Sequence, residues 1–270
     1  MYPASIEELL PSRKQLFESI NSQTAEWVQI SQLVNYSLSW LVHAYGISAA
    51  DFLRKAINYE DFDLKTYKPQ YFNGILAYMD LSKLNDFLIG IVDSEEYVII
   101  LNKCIEIIHR EISLMRGDII TLENSNYIFL WNFLDNEVFE EIATDSQYQT
   151  QKLEVLQAKG ELAFTSLVSC LFKLRIYLKS YCYRVHDILT FNFQGLVTVG
   201  VHTATGFKGP VGGSQKVDIS ILSKSLYFAK KFADHARKLK FDLILTREVG
   251  EMLSRNVVFR SNWRHLSCFI

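Results

Sequence analysis

From Phe72 onward, short apolar runs alternate with long segments of helical period, and this alternation narrows the possible fold more than any other feature of the chain. Gly74–Tyr78, closed by Met79-Asp80, reads as a buried strand, and Tyr97–Met115 as an amphipathic helix stopped by Arg116-Gly117. Asp118–Leu122 and Tyr127–Phe133 read as two strands joined by Glu123-Asn124-Ser125-Asn126, whose short polar side chains favour a turn. Asp135–Leu156 is acidic and glutamine-rich, a surface insertion leading into a helix, and Leu162–Tyr181 is strongly apolar and helical. Leu196–Val201 reads as a strand and Ile221–Leu239 as a helix whose basic last turn suits its dipole. Leu243–Leu245, Thr246–Ser254 and Val257–Phe259 complete the series as strand, short helix and strand. The order β-α-β-β-α-β-α-β-α-β predicts an α/β (α+β) sheet with helices on one side, related to the ferredoxin-like class.

Residues 1–70 have a different character and are expected to form a helical N-terminal extension to a domain spanning 71–270. Trp27, Ile30, Leu33, Leu38, Leu41 and Val42 recur at near-helical spacing, and Ser48-Ala-Ala-Asp51 resembles a capping box. Lys65–Gln70, with Pro69, is the boundary segment. A hydrophobic content of 49% excludes a disordered chain, and a net charge of −2 gives no field for nucleic acid or an anionic membrane. No run approaches the roughly 18–20 apolar residues of a membrane span, and the start lacks the basic region of a signal peptide. Cys104, Cys170, Cys182 and Cys268 are widely spaced, which argues against a zinc site or disulfide framework. The expectation is an intracellular protein, soluble or assembly-bound, with reduced thiols.

Individual motifs are weak when taken alone. Gly206-Phe-Lys-Gly-Pro-Val-Gly-Gly213 could cradle phosphate, but it lacks the Lys-Ser or Lys-Thr of a P-loop, and a tight hairpin turn is the simpler reading. Asp80 could hold a metal at a strand end, or simply cap a turn. The six histidines form no ligand pattern, and no Gly-x-Ser-x-Gly elbow occurs. Lys230, Lys231, Arg237, Lys238 and Lys240 read as a solvated helix face.

Three blocks in order resemble the catalytic domains of class III adenylyl/guanylyl cyclases. Ile75-Leu-Ala-Tyr-Met-Asp80-Leu-Ser-Lys-Leu-Asn is similar to the family's opening strand, which ends in a metal-binding aspartate. Ile107 to Trp131, through Arg116-Gly117-Asp118 and Ser125, is similar to the helix and hairpin that carry the second metal aspartate. Val199-Gly-Val-His202, continuing through Gly209 and Gly212 to Asp218-Ile-Ser220-Ile-Leu-Ser223, matches without gaps a version of the motif seen in protist, ciliate-like cyclases. The likeness covers about residues 45 to 260.

In that family two carboxylates hold two cations, and an Asn, an Arg and a base-reading pair complete a site formed between two domains. Carried over residue by residue, the resemblance gives Asp80 as the first metal carboxylate. Ser125 stands in place of the second, Thr121 at a base-reading position, Tyr227 at the Asn and Lys231 at the Arg. Ala204 replaces a glycine, while Asp218 and Ser220 keep the protist pattern and remain candidate nucleotide contacts. The resemblance therefore implies a degenerate, catalytically inactive cyclase domain, a pseudoenzyme with no cofactor of its own. Its role would be structural or regulatory, through a homologous cyclase-domain protein or a larger complex, and the protist flavour points to a signalling or ciliary/axonemal setting. Two alternatives stand beside it. One is an active or half-active cyclase with residual phosphorus-oxygen lyase activity, using Mg or Mn with ATP or GTP and Glu123 in place of Ser125. The other is a nucleotide sensor without turnover.

Overall fold

A computed structural model describes residues 69–123, 126–133, 149–186, 192–212 and 217–253. Strand β1 (Gln70–Asp80) is followed by helices α1 (Ser82–Ile91) and α2 (Ser94–Leu114), then by the hairpin β2 (Asp118–Glu123) and β3 (Asn126–Asn132). Helix α3 (Gln149–His186) leads to β4 (Thr198–Gly212) and β5 (Val217–Leu222), and α4 (Lys224–Leu239), β6 (Leu243–Leu245) and α5 (Arg247–Met252) close the described chain. The expected helical extension, the acidic insertion up to residue 148 and the strand Val257–Phe259 lie outside the described residues.

The sheet order is β2-β3-β1-β4-β5, all antiparallel, with β6 parallel to the first part of β4. The first four strands with their crossovers form the expected ferredoxin-like unit. Residues of β1 alternate between the faces. Ile75, Ala77 and Met79 join Trp131, Phe129, Leu174 and Leu178 in the larger core, beneath α1, α2, α3 and α5. Phe72, Leu76 and Tyr78 meet Ala229 and Ala233 of α4 in a second core. Helices therefore cover both faces, which corrects the one-sided sheet expected from the sequence. The physical reason lies in α4, whose alanines present a flat stripe that packs closely on the face left open by the longer side chains.

Local chemistry sets the helix ends. The Asp93 carboxylate accepts the Glu96 N–H at 2.8 Å and caps α2. The Ser223 hydroxyl accepts the Ser225 N–H and donates to the Thr205 carbonyl, so it caps α4 and ties it to β4. Lys240, left-handed at φ 59°, ends α4 by returning its N–H to the Ala236 and Arg237 carbonyls.

Further expectations need correction. Gly206 to Gly212 are not a turn; they lie within β4, paired with β1 and β5. A side chain at Gly206 would run into the Leu222 carbonyl, so close strand packing explains that glycine. Ile221 and Leu222, expected to open the following helix, instead close the edge strand β5 (Val217–Leu222), because the apolar–polar alternation of Val-Asp-Ile-Ser-Ile has a strand period. Helix α1 has no counterpart among the expected elements, although Leu81, Leu84 and Leu88 are buried in the larger core at helical spacing.

Candidate functional site

Asp80 is the last residue of β1, with Asn126 opposite it on β3 and Thr198 on β4. Oδ1 accepts the Ser82 N–H at 2.8 Å, so the carboxylate caps the first turn of α1, where Leu81 offers no polar group. Oδ2 accepts a hydrogen bond from Nη2 of Arg237, in the last turn of α4. Asp234, one turn earlier, stands 4.0 Å from Nη1 of the same guanidinium. Asp80 is only 8% exposed, and a carboxylate so far out of water needs a partner of this kind. The Thr198 hydroxyl beside it is buried, with no hydrogen-bond partner among the described residues.

Arg237 is the residue the sequence reading missed. Instead of joining the solvated basic face expected from the sequence, it pairs with Asp80 on the same helix as the buried Ala233 and Ala236. The available signal was helical spacing, since Arg237 follows Ala233 by four residues and so shares the packed stripe. Lys230 is likewise less free than expected, with its ammonium 5.9 Å from the centre of the Tyr78 ring.

The remaining predicted residues spread over three places. Tyr227 and Lys231 lie one turn apart on the exposed start of α4, with the Lys231 ammonium 5.4 Å from the Tyr227 ring centre, a cation–π contact. Asp218 and Ser220 are on β5, opposite Val211 and Gly209 of β4. Thr121 is on β2, just past a bulge, opposite Ile128. Ser125 lies outside the described residues, between the paired Glu123 and Asn126, and the backbone register places Glu123, Asn126 and Asp80 in one cross-strand row. Asp80 and Asp218 thus belong to opposite ends of β4, the first beside Thr198 and the second opposite Val211. Lys208 of β4 reaches Asp118 of β2 at 3.7 Å, so the long strand bends toward the far edge of its own sheet.

His202 occupies the same face as Asp80. It faces Leu76 across β1, and Phe228 and Phe232 of α4 meet its ring edge-on at 5.5 and 6.1 Å. Burial pushes its pKa below the ordinary value, against the opposing pull of Glu248. Ala204, which replaces a glycine of the resembled motif, is buried in the second core.

No protein-family model and no curated protein matches the chain. Solved structures do match. A bacterial light-regulated adenylyl cyclase superposes with a TM-score of 0.56 at 18% identity, over 87% of this chain and 60% of its own. The adenylyl cyclase CyaB from P. aeruginosa does so with a TM-score of 0.51 at 11% identity, over 69% of this chain and 82% of its own. This is the class III nucleotide cyclase fold. At such identities the likeness is one of fold, and the chain spans 60% of the length of the light-regulated enzyme. Within this cyclase fold, Asp80 ends the central strand and makes two intrachain hydrogen bonds, one of them to a cation.

Proposed function

We propose that this chain is a non-catalytic cyclase-fold protein that works by pairing with a homologous cyclase domain or by docking in a larger assembly. One observation carries the reading: Asp80, the residue resembling a metal carboxylate, is already neutralised by Arg237. A pair of divalent cations needs several hard oxygen donors. Among the described residues, Asp80 has Asn126 and Thr198 as strand neighbours, both neutral, and no group of three His, Cys, Asp or Glu side chains converges there or elsewhere. The donors described about Asp80 are fewer than the family's two-cation centre uses. Lys231 keeps the charge of the Arg that the resemblance implies without its planar fork, and it stands over Tyr227, at the position the resemblance gives to an Asn.

The β4–β5 arm supports pairing. Tyr71, Phe207 and Leu222 are opposite one another across three strands, and all three are exposed, Leu222 to 77%. Val211 continues the same row along β4. An apolar row on a sheet end suits burial against a second domain of similar build. A ciliary or axonemal setting is part of this proposal only by analogy with the protist-like motif.

ATP and GTP, each with Mg²⁺ or Mn²⁺, are incubated with the purified chain, and binding and cyclic product are read from the same tubes. No product is expected. Product that disappears in Asp80→Ala overturns the non-catalytic reading, and saturable binding without product replaces it with a nucleotide sensor. Sedimentation with a homologous cyclase domain tests the pairing, which Phe207→Asp should abolish. A monomer indifferent to every such domain counts against it.

A further inference from the structure

We infer that Arg237 is a built-in cation, whose guanidinium takes the position beside Asp80 that a divalent ion would otherwise fill and makes this corner of the fold independent of metal. The inference rests on reading Asp80 as the remaining metal carboxylate, and it adds a residue that the resemblance does not assign.

Four features bear on it. First, both oxygens of Asp80 are engaged, one by the Ser82 N–H and one by Arg237, in a setting nearly closed to water. Second, two carboxylates meet one cation, because Asp234 approaches the other terminal nitrogen of the same guanidinium. The single positive charge thus stands between two negative ones. Third, the guanidinium is delivered by a fixed element. Gly200 lets the α4 backbone at Ala229 and Ala233 lie directly on β4, and any side chain there would collide with the Ala229 carbonyl. Arg237, two turns beyond, reaches β1 from a helix whose height over the sheet is set. Fourth, the neighbouring oxygens include the buried Thr198 hydroxyl, which makes no hydrogen bond among the described residues. With the guanidinium removed, Asp80 is left a buried, uncompensated carboxylate with an oxygen donor, Thr198, beside it, a setting in which a hard cation can take up the charge.

The test uses the full chain, with Mn²⁺ as the probe, read by electron paramagnetic resonance and by thermal unfolding. The wild type is expected to bind no Mn²⁺ at Asp80 and to keep the same Tm with or without it. Arg237→Gln is expected to lower the Tm by about 4–10 °C through the orphaned carboxylate. Millimolar Mn²⁺ should then recover part of that loss, and Asp80→Asn in the same background should remove the recovery. Mn²⁺ binding by the wild type that is lost in Asp80→Asn overturns the inference, as does a folded Arg237→Gln that ignores Mn²⁺. Should Arg237→Gln not fold, the wild-type resonance measurement and the Arg237→Lys variant, expected to be equally indifferent to Mn²⁺, decide the matter. Mn²⁺ at Asp80 without cyclic product would defeat this inference alone. Product without Mn²⁺ at Asp80 would defeat the proposed function alone.

Discussion

One face of the sheet buries Phe129, Trp131, Leu174 and Leu178 beneath four helices, while the other is closed by a single helix through Ala229 and Ala233. The first face gains stability from apolar volume and aromatic contact, with Tyr127 stacked on Phe129 at 5.6 Å and Phe129 edge-on to Trp131 at 6.2 Å. The second gains it from close backbone approach, a ring cluster about His202 and the Asp80–Arg237 pair. Asp80, Tyr227 and Lys231, which stand at the metal, Asn and Arg positions of the resemblance, lie on β1 or α4, the elements of the thinner face. Chemistry there can change by substitution while the thicker face holds the fold.

Substitutions of graded size break or sharpen that contrast. The largest effect belongs to Phe129→Ala, which empties the centre of the thick face and should cost about 3–5 kcal/mol in urea denaturation. A loss below 1 kcal/mol would show that this core is not the main source of stability. On the thin face, Gly200→Ala forces α4 away from β4 and should cost about 1–3 kcal/mol, accompanied by a gain in Mn²⁺ response as Arg237 withdraws from Asp80. An unchanged Tm would mean that α4 slides freely.

Glu111 separates polar from apolar contributions within the thick face. It is buried between α2 and α3, where Ser169 donates to Oε2 at 2.7 Å and Lys173 stands 2.6 Å from the same oxygen. Burial alone would raise its pKa, but hydrogen bonds from Lys173, Ser169 and Arg110 outweigh burial and hold it below the ordinary glutamate range. A lowered folded-state pKa contributes stability above the unfolded value and loses it as the pH falls through the folded one. Glu111→Gln should therefore cost about 1–2 kcal/mol at neutral pH, a deficit that shrinks below about pH 4. A deficit that grows on acidification would reverse the assignment. The smallest effect is expected for Tyr227→Ala, within about 0.5 kcal/mol, since that ring is 61% exposed. A larger loss in the isolated chain would mean that the exposed ring supports the fold itself.

Much of the architecture was legible wherever one period dominated. Leu243–Leu245 falls where the sequence placed it, and the expected hairpin strands agree with β2 and β3 to within one residue. Legibility failed where two periods abutted. Val217–Leu222 runs into α4 with only Ser223 between, so the end of the strand, Ile221 and Leu222, reads as the start of the helix. Glycines misled in β4, where Gly206 marks a strand pressed against Leu222 and Ser223 and not a turn. At the site, Asp80 was visible because a carboxylate closing an apolar run stands out. Its partner was not, because Arg237 is 157 residues away and looks like one of several cations on a basic helix. The arginine's place four residues after Ala233 sets it on the packed stripe, but that stripe is recognisable as the buried one only from the packing of α4.

The seating of α4 on Gly200 also has a mechanical meaning. The helix is held at its start by Ser223 and by Phe228 against His202, at mid-length by backbone contact and at its far end by Arg237, while Tyr227 is the exposed ring of its first turn. Of these fastenings, the one at the far end is ionic, so Asp80 joins the end of the central strand to the end of the helix that covers it.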